Sequence, residues 1–230
     1  MNTFRFMESI GIHLHRIIIS RYSLCLIPDL PGEINLTGRL SHGIRLPGNV
    51  RYIGILSRFP VKNQPSPELQ LPLKHNTVIL SGPEPQRSIF RQAVLNLLRD
   101  EKTPTVILEG KPGKGNEITR SDNFVFCSHL SSPEMQHLIS SSEKIITRAG
   151  YSTIMELVSL NCSALLVPTP GQTEQEYLAE YLSSKGLFSF CKQAELNKPF
   201  SVSRSIEAGL AEINEQSSIL LEDALSEILE

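Results

Sequence analysis

The stretch KIITRAGYSTIMEL, Lys144 to Leu157, concentrates residue types that could do chemistry together. An apolar run ends at Thr147, the small pair Ala149-Gly150 follows, and a helical pattern begins near Ser152. A helix start leaves its first N–H groups without intrahelical acceptors, and the helix dipole adds partial positive charge there. Such an end suits a phosphate, and a diphosphate is its natural guest. Gly150 lets a ligand approach the backbone closely, and Ser152 and Thr153 add hydroxyl donors. Glu156 lies one turn after Ser152 on the same face, whereas Ile154, Leu157 and Val158 form an apolar stripe. The Glu156 carboxylate can accept two hydrogen bonds from a ribose, or it can close a capping box from Thr153 and fold back onto the helix start.

These residues need a sheet behind them, and the sequence offers one. Short apolar runs alternate with amphipathic stretches, as expected of parallel strands joined by crossover helices. Strands are expected at Thr77–Leu80, Thr105–Leu108, Phe124–Cys127, Lys144–Thr147, Ala164–Val167 and Leu187–Phe190. Helices are expected at Gln86–Arg99, Pro133–Ser142, Ser152–Leu160 and Glu174–Lys185, with two more at Ser203–Asn214 and Gln216–Leu229. Runs such as TVIL and ALLV are apolar throughout, which implies burial on both faces and an α/β, Rossmann-like doubly wound parallel sheet. In that architecture the loops after the strands face a common crevice.

Upstream, Pro60, Pro65, Pro67 and Pro72 fall in PVKNQPSPELQLP, where fixed φ and missing N–H donors exclude a helix or central strand. The expected organisation is a remnant of a larger domain over 1–59, a linker over 60–74 and a binding domain over 75–230. Net charge is -2 with Lys and Arg scattered, which offers no footprint for nucleic acid. The four cysteines lack a CxxC pair, which argues against a zinc knuckle or disulfide scaffold and suits a reducing cytoplasm. No apolar run of about 18 residues is unbroken, so no membrane span is expected. The start, MNTFRFMES, lacks the pattern of a secretory signal.

Other signals carry less. Gly110 to Gly115 looks like a phosphate loop, but Asn116-Glu117 stands where a Walker motif needs Lys and Ser or Thr, so a surface loop is expected. His13 and His15 have no ligand partner at metal spacing, and no metal site is expected. His42, His75, His129 and His137 are bases on paper, and none is assigned.

The order TRAG-x-ST-x-x-E, then an apolar strand ending in Pro, then a Gln-rich loop opening a helix resembles the carboxy-terminal domain of glycosyltransferase family 28, of the GT-B superfamily. The likeness covers about Asn76 to Gly186 and is strongest from Ile145 to Leu182. That family includes the peptidoglycan N-acetylglucosaminyltransferase and the plant galactolipid synthases. The resemblance implies that Arg148, Ala149, Gly150, Tyr151, Ser152 and Thr153 bind the donor diphosphate and that Glu156 holds the ribose. It implies that Gln172 and Gln175 reach the donor sugar, although Gln172 replaces the family's acidic residue and Glu174 its second glutamine. Thr173 and Glu176 also spell a capping box. Ser81 and Gly82 occupy the place of the family's first glycine-rich turn, where Pro83 and Pro85 remove donors. Ser128, His129 and Met135 lie where the family receives the base, with Ser132 as cap and Pro133 at the first helical position as the alternative.

The function this implies is transfer of a sugar from a nucleotide-sugar, UDP-linked by resemblance, to an acceptor hydroxyl, without a cofactor or metal. The segment PDLPGEINLTGRLSH with NVRYIGILSRF resembles the end of the acceptor domain, most of which is missing. Expected partners are the nucleotide-sugar donor and an acceptor domain, partner chain or second copy. A cytoplasmic site is expected, and peripheral association with the inner membrane face is compatible with it. A non-catalytic donor-binding module, one subunit of a split enzyme, and a nucleotide-sugar epimerase or hydrolase remain the alternatives.

Overall fold

A computed structural model describes residues 11–12, 14–59, 71–111, 113, 117–197 and 210–229. The chain forms two units, Ser57–Leu210 and Met1–Leu56 with Ala211–Glu230.

The larger unit is built on β3 (Asn76–Ile79), β4 (Thr105–Leu108), β5 (Ile118–Ser121), β6 (Phe124–Cys127), β7 (Lys144–Thr147), β8 (Leu165–Leu166) and β9 (Ser189–Phe190). They make one seven-stranded sheet in the order β5-β6-β4-β3-β7-β8-β9. All pairings are parallel except β5 with β6. All four residues of β3 and of β4 are buried, the signature of a strand covered on both faces. The helices are α1 (Gln86–Leu98), α2 (Ser132–Ser141), α3 (Tyr151–Ser159) and α4 (Thr173–Ser184).

On one side α1 buries Phe90, Val94 and Leu98 in a cluster with Val78, Ile107, Ile146 and Leu165. Each such side chain contributes roughly 1.5–3 kcal/mol of transfer free energy, so this face holds the sheet's centre together. Helix α3 buries Ile154, Met155, Leu157 and Val158. It stops where Asn161 turns left-handed at φ 56, with the Cys162 N–H donating to the Leu157 carbonyl at 2.9 Å.

The expected strands and helices of this unit form to within two residues, with β8 reduced to its two central residues. β5 was not anticipated. Three of its four residues are exposed, so it has no apolar alternation, and a turn at Asp122 folds it back as the antiparallel edge. Ser131, not Ser132, caps α2, and its N–H and hydroxyl both donate to Glu134 at 2.7 and 2.6 Å. Pro133 follows in the first turn, where its missing N–H costs nothing.

The other unit pairs β1 (Cys25–Ile27) with β2 (Val50–Tyr52) in parallel. Between them the buried Asp29 accepts N–H bonds from Leu30, Leu36 and Thr37, a bond from the Thr37 hydroxyl, and His42 Nε2 at 3.1 Å. One carboxylate thus folds the loop that joins the two strands. Helix α5 (Leu210–Leu229) belongs here. It replaces the two helices expected on either side of Glu215; residues 203–209 of the first lie outside those described, as do His13, 60–70 of the linker, and 112 and 114–116 of the Gly110 to Gly115 loop. At Gly54, φ is +71 and any Cβ would lie 2.3 Å from the Ser217 Cα, so glycine is required where α5 crosses.

Candidate functional site

From β3 the chain proceeds to β4 and β6 on one side, then returns to β7 and β8 on the other. The strand order therefore reverses between β3 and β7, the place where open α/β sheets bind ligands. Ile79 and Thr147 are partners at the ends of these strands, and Thr147 pairs onward with Leu166. Three loops consequently emerge side by side: 80–85 after β3, 148–150 after β7, and 167–172 after β8.

Gly150 is the N-cap of α3, with φ -77 and ψ 131, and it has no side chain with which to satisfy the first-turn N–H groups. Its conformation is one any residue could adopt, and an added Cβ would meet no atom within 4 Å. Neither torsion nor packing calls for glycine here; the open space in front of the backbone is what its lack of a side chain preserves. Ala149 is fully buried, Ser152 is exposed, and Tyr151 and Thr153 are half-buried.

Across from this turn, residues 167–172 are held by the first turns of α4. The Thr169 N–H donates to Gln175 Oε1 at 2.9 Å, and the Gly171 N–H donates to Glu176 Oε1 at 3.0 Å. Gly171 sits at φ +81, a left-handed turn that glycine adopts without strain. Gln172 caps α4, so Thr173 is inside the helix and the capping box spelled by Thr173 and Glu176 does not form; Glu176 serves the loop instead. Gly150, Gly171, Gln172, Thr173, Glu174 and Gln175 line a cavity of about 400 Å³. The sequence singled out Gly150, Gln172 and Gln175; Gly171, Thr173 and Glu174 join them through the fold.

Glu156 makes no capping box. With Gly150 as N-cap, the third helical position is Thr153, and Glu156 lies a turn too far along to reach the helix start. Its carboxylate instead pairs with Arg58 at 2.8 Å, the glutamate side chain 13% exposed and the arginine 42%. Burial pushes the Glu156 pKa up, and Arg58 pulls it partly back. Arg58 is the residue sequence reasoning missed, because nothing in LSRF links it to a glutamate so far along the chain.

Arg148 lies inside the protein rather than in the cavity, at 1% exposure. Its Nη1 donates to the carbonyls of Val167 and Pro168 at 3.2 and 3.1 Å, and its Nη2 to that of Gln86 at 3.0 Å. In the first loop Ser81 is half-buried and Gly82 exposed at φ 92. There Glu84 accepts from the Ser88 N–H and from Arg87, and these bonds hold its pKa down. After β6, Ser128 and Met135 are buried and His129 is half-buried. Ser128 joins neighbouring backbone through Glu117 and Lys111, which leaves His129 the more accessible of the three. His75 is buried at the opposite end of β3, bonded to the Pro72 and Leu138 carbonyls.

A protein of Methanosarcina acetivorans described as an uncharacterized glycosyltransferase is 27% identical over 168 residues, covering 70% of this chain and 42% of that one. The UDP-N-acetylglucosamine–N-acetylmuramyl-(pentapeptide) pyrophosphoryl-undecaprenol N-acetylglucosamine transferase of Caldanaerobacter subterraneus is 27% identical over 108 residues, covering 44% of this chain and 30% of that one. The chain thus spans less than half the length of either relative. Among solved structures, the glycosyltransferase SnogD of Streptomyces nogalater superposes with a TM-score of 0.48 at 13% identity, covering 80% of this chain and 52% of that one. The glycosyltransferase family 28 C-terminal domain matches residues 113–226, a span that holds α3, α4 and the cavity between them. This part of the chain is therefore a glycosyltransferase family 28 carboxy-terminal domain.

Proposed function

We propose that the crevice between α3 and α4 holds a nucleoside-diphosphate sugar and that the protein is the donor-binding half of a sugar-transfer enzyme. The carrying observation is Gly150, a glycine required by neither torsion nor packing, at the start of a helix that opens on the cavity. Diphosphate oxygens would accept from the first-turn N–H groups of α3 and the Ser152 and Thr153 hydroxyls. Glu156 would accept the ribose hydroxyls, exchanging or sharing its bond to Arg58, and the His129 loop would meet the base. Gln172, Thr173 and Glu174, at the cavity wall, would face the sugar.

In the reaction an acceptor hydroxyl attacks the anomeric carbon, the bond to the diphosphate breaks, and the diphosphate leaves with the electron pair. Preorganised donors aimed at developing charge are worth roughly 2.7–4 kcal/mol each, and the α3 start supplies such donors. The bacterial relative's name makes UDP the first nucleotide to try. The acceptor, its proton-accepting base and the remaining wall of the cleft would come from an acceptor domain or partner chain. Among the described residues no helix is long and apolar enough to cross a membrane, so contact with a lipid-linked acceptor would be peripheral. Calorimetric titration with UDP, TDP and GDP tests the reading. Binding with a Kd between about 1 µM and 1 mM supports it; absence of heat with all three at millimolar concentration rejects it.

A further inference from the structure

We propose that Arg148 is a positioning residue that locks together the loops forming the donor crevice, and that it does not itself touch the diphosphate. This rests on reading the crevice as the nucleotide site. The residue type, a cation at the start of a phosphate-binding turn, invites the opposite assignment, and the geometry argues against it.

A guanidinium has five N–H donors in a rigid planar fork, which lets one group bond several fixed acceptors at once. Here Nη1 reaches the Val167 and Pro168 carbonyls and Nη2 reaches the Gln86 carbonyl. Val167 and Pro168 open the loop that carries Gly171 and Gln172, while Gln86 is the first residue of α1 and closes the loop that carries Ser81 and Gly82. Arg148 itself belongs to the turn ending at Gly150. One side chain therefore ties the three adjacent loops to each other.

The underside of the group is fixed too, because its Cζ lies 4.1 Å from the centre of the Phe90 ring, which is a buried member of the sheet's core cluster. Burial lowers the Arg148 pKa to about 10, which still leaves the side chain charged at neutral pH. Among the described residues no carboxylate pairs with this cation, which is 1% exposed; carbonyl dipoles and a ring face compensate it, and it has no surface to present to a ligand. Moving it into the cavity would break all three bonds.

The experiment compares wild type with Arg148→Lys and Arg148→Met in two measurements: nucleotide-free amide exchange, and UDP affinity as a function of salt. Lysine keeps the charge but has a single nitrogen that cannot span three separated carbonyls. Both variants should exchange faster at Arg87, Thr169, Gly171 and Gln172, whose N–H groups are bonded within these loops, with β3 and β4 protection unchanged. UDP affinity should fall by about tenfold in both, the scale on which loss of a supporting contact is felt, with the salt dependence of wild type retained. A direct phosphate contact predicts otherwise: lysine close to wild type, methionine weak and with a shallower salt dependence, and loop exchange unaltered. That result would overturn the proposal. Should neither variant fold, Phe90→Leu removes the ring beneath the guanidinium while leaving its acceptors in place; faster loop exchange supports the proposal and unchanged exchange rejects it. If wild type binds no nucleotide, the donor-site reading falls, and the exchange measurement still decides what Arg148 holds.

Discussion

At the level of single residues, the most informative is a glycine whose conformation does not need it. Gly150→Ala introduces a methyl group that meets nothing in the protein and sits at an ordinary φ. Stability should change by no more than about 1 kcal/mol, measured by denaturant unfolding. UDP affinity should nevertheless fall, and Gly150→Val should lower it further, because the added atoms occupy the space a phosphate would enter. Glu156 gives a second test, through pH. Its pKa is raised by burial, so it takes up a proton at a higher pH than an ordinary carboxyl. For folding, a raised carboxyl pKa favours the native state below the unfolded value, and that contribution is lost as pH rises through the folded one. For ribose binding the sign is reversed, since the acceptor is the carboxylate. UDP affinity should therefore decline as pH falls through the raised pKa, starting above the usual carboxylate range, and titrations across pH should find that decline gone in Glu156→Gln.

The elements differ in how they begin, and that difference separates structure from function. Helix α2 starts with a closed capping box between Ser131 and Glu134. Helix α3 starts on a bare glycine, and α4 sends Gln175 back to its own entry loop. Glu134→Ala should thus cost about 0.5–2 kcal/mol of stability, the usual value of a cap, and weaken UDP less than a change at the cavity wall does, since it loosens only the end of the His129 loop at Ser131. Gln175→Ala should cost about 1 kcal/mol through the lost bond to the Thr169 N–H, and should also weaken UDP by loosening the cavity wall. Thermal unfolding and calorimetry on the same samples distinguish the two outcomes. The strands and helices of this sheet were legible in sequence because β3, β4, β6 and β7 are short apolar runs with turn residues between them. β5 was not, because an edge strand reading ITRS has a single apolar residue to announce it. The position of Gly150 was likewise legible, from a small-residue turn between a strand and a helix. The Arg58–Glu156 pair and the carbonyls around Arg148 were not, since they depend on which loops the sheet order makes neighbours.

For the molecule as a whole, the proposed donor crevice lies entirely within Ser57–Leu210, among loops that meet where the strand order reverses. On the proposed reading nucleotide binding belongs to this unit and is testable without knowing the acceptor. A groove of about 670 Å³ beside Arg91, Arg99 and Phe126 offers another basic surface on the same unit, and the sequence of Gly110 to Gly115 has two lysines among its glycines, so the location of binding matters as much as its strength. The most direct measurement is a titration of the isotope-labelled protein with UDP, following backbone amide shifts. The account predicts that the largest changes fall on Gly150 to Thr153 and Gly171 to Gln175, with smaller ones near Glu156 and Arg58. Changes confined to 110–115 or to the Arg91 and Arg99 groove, or no change at millimolar UDP, would contradict it.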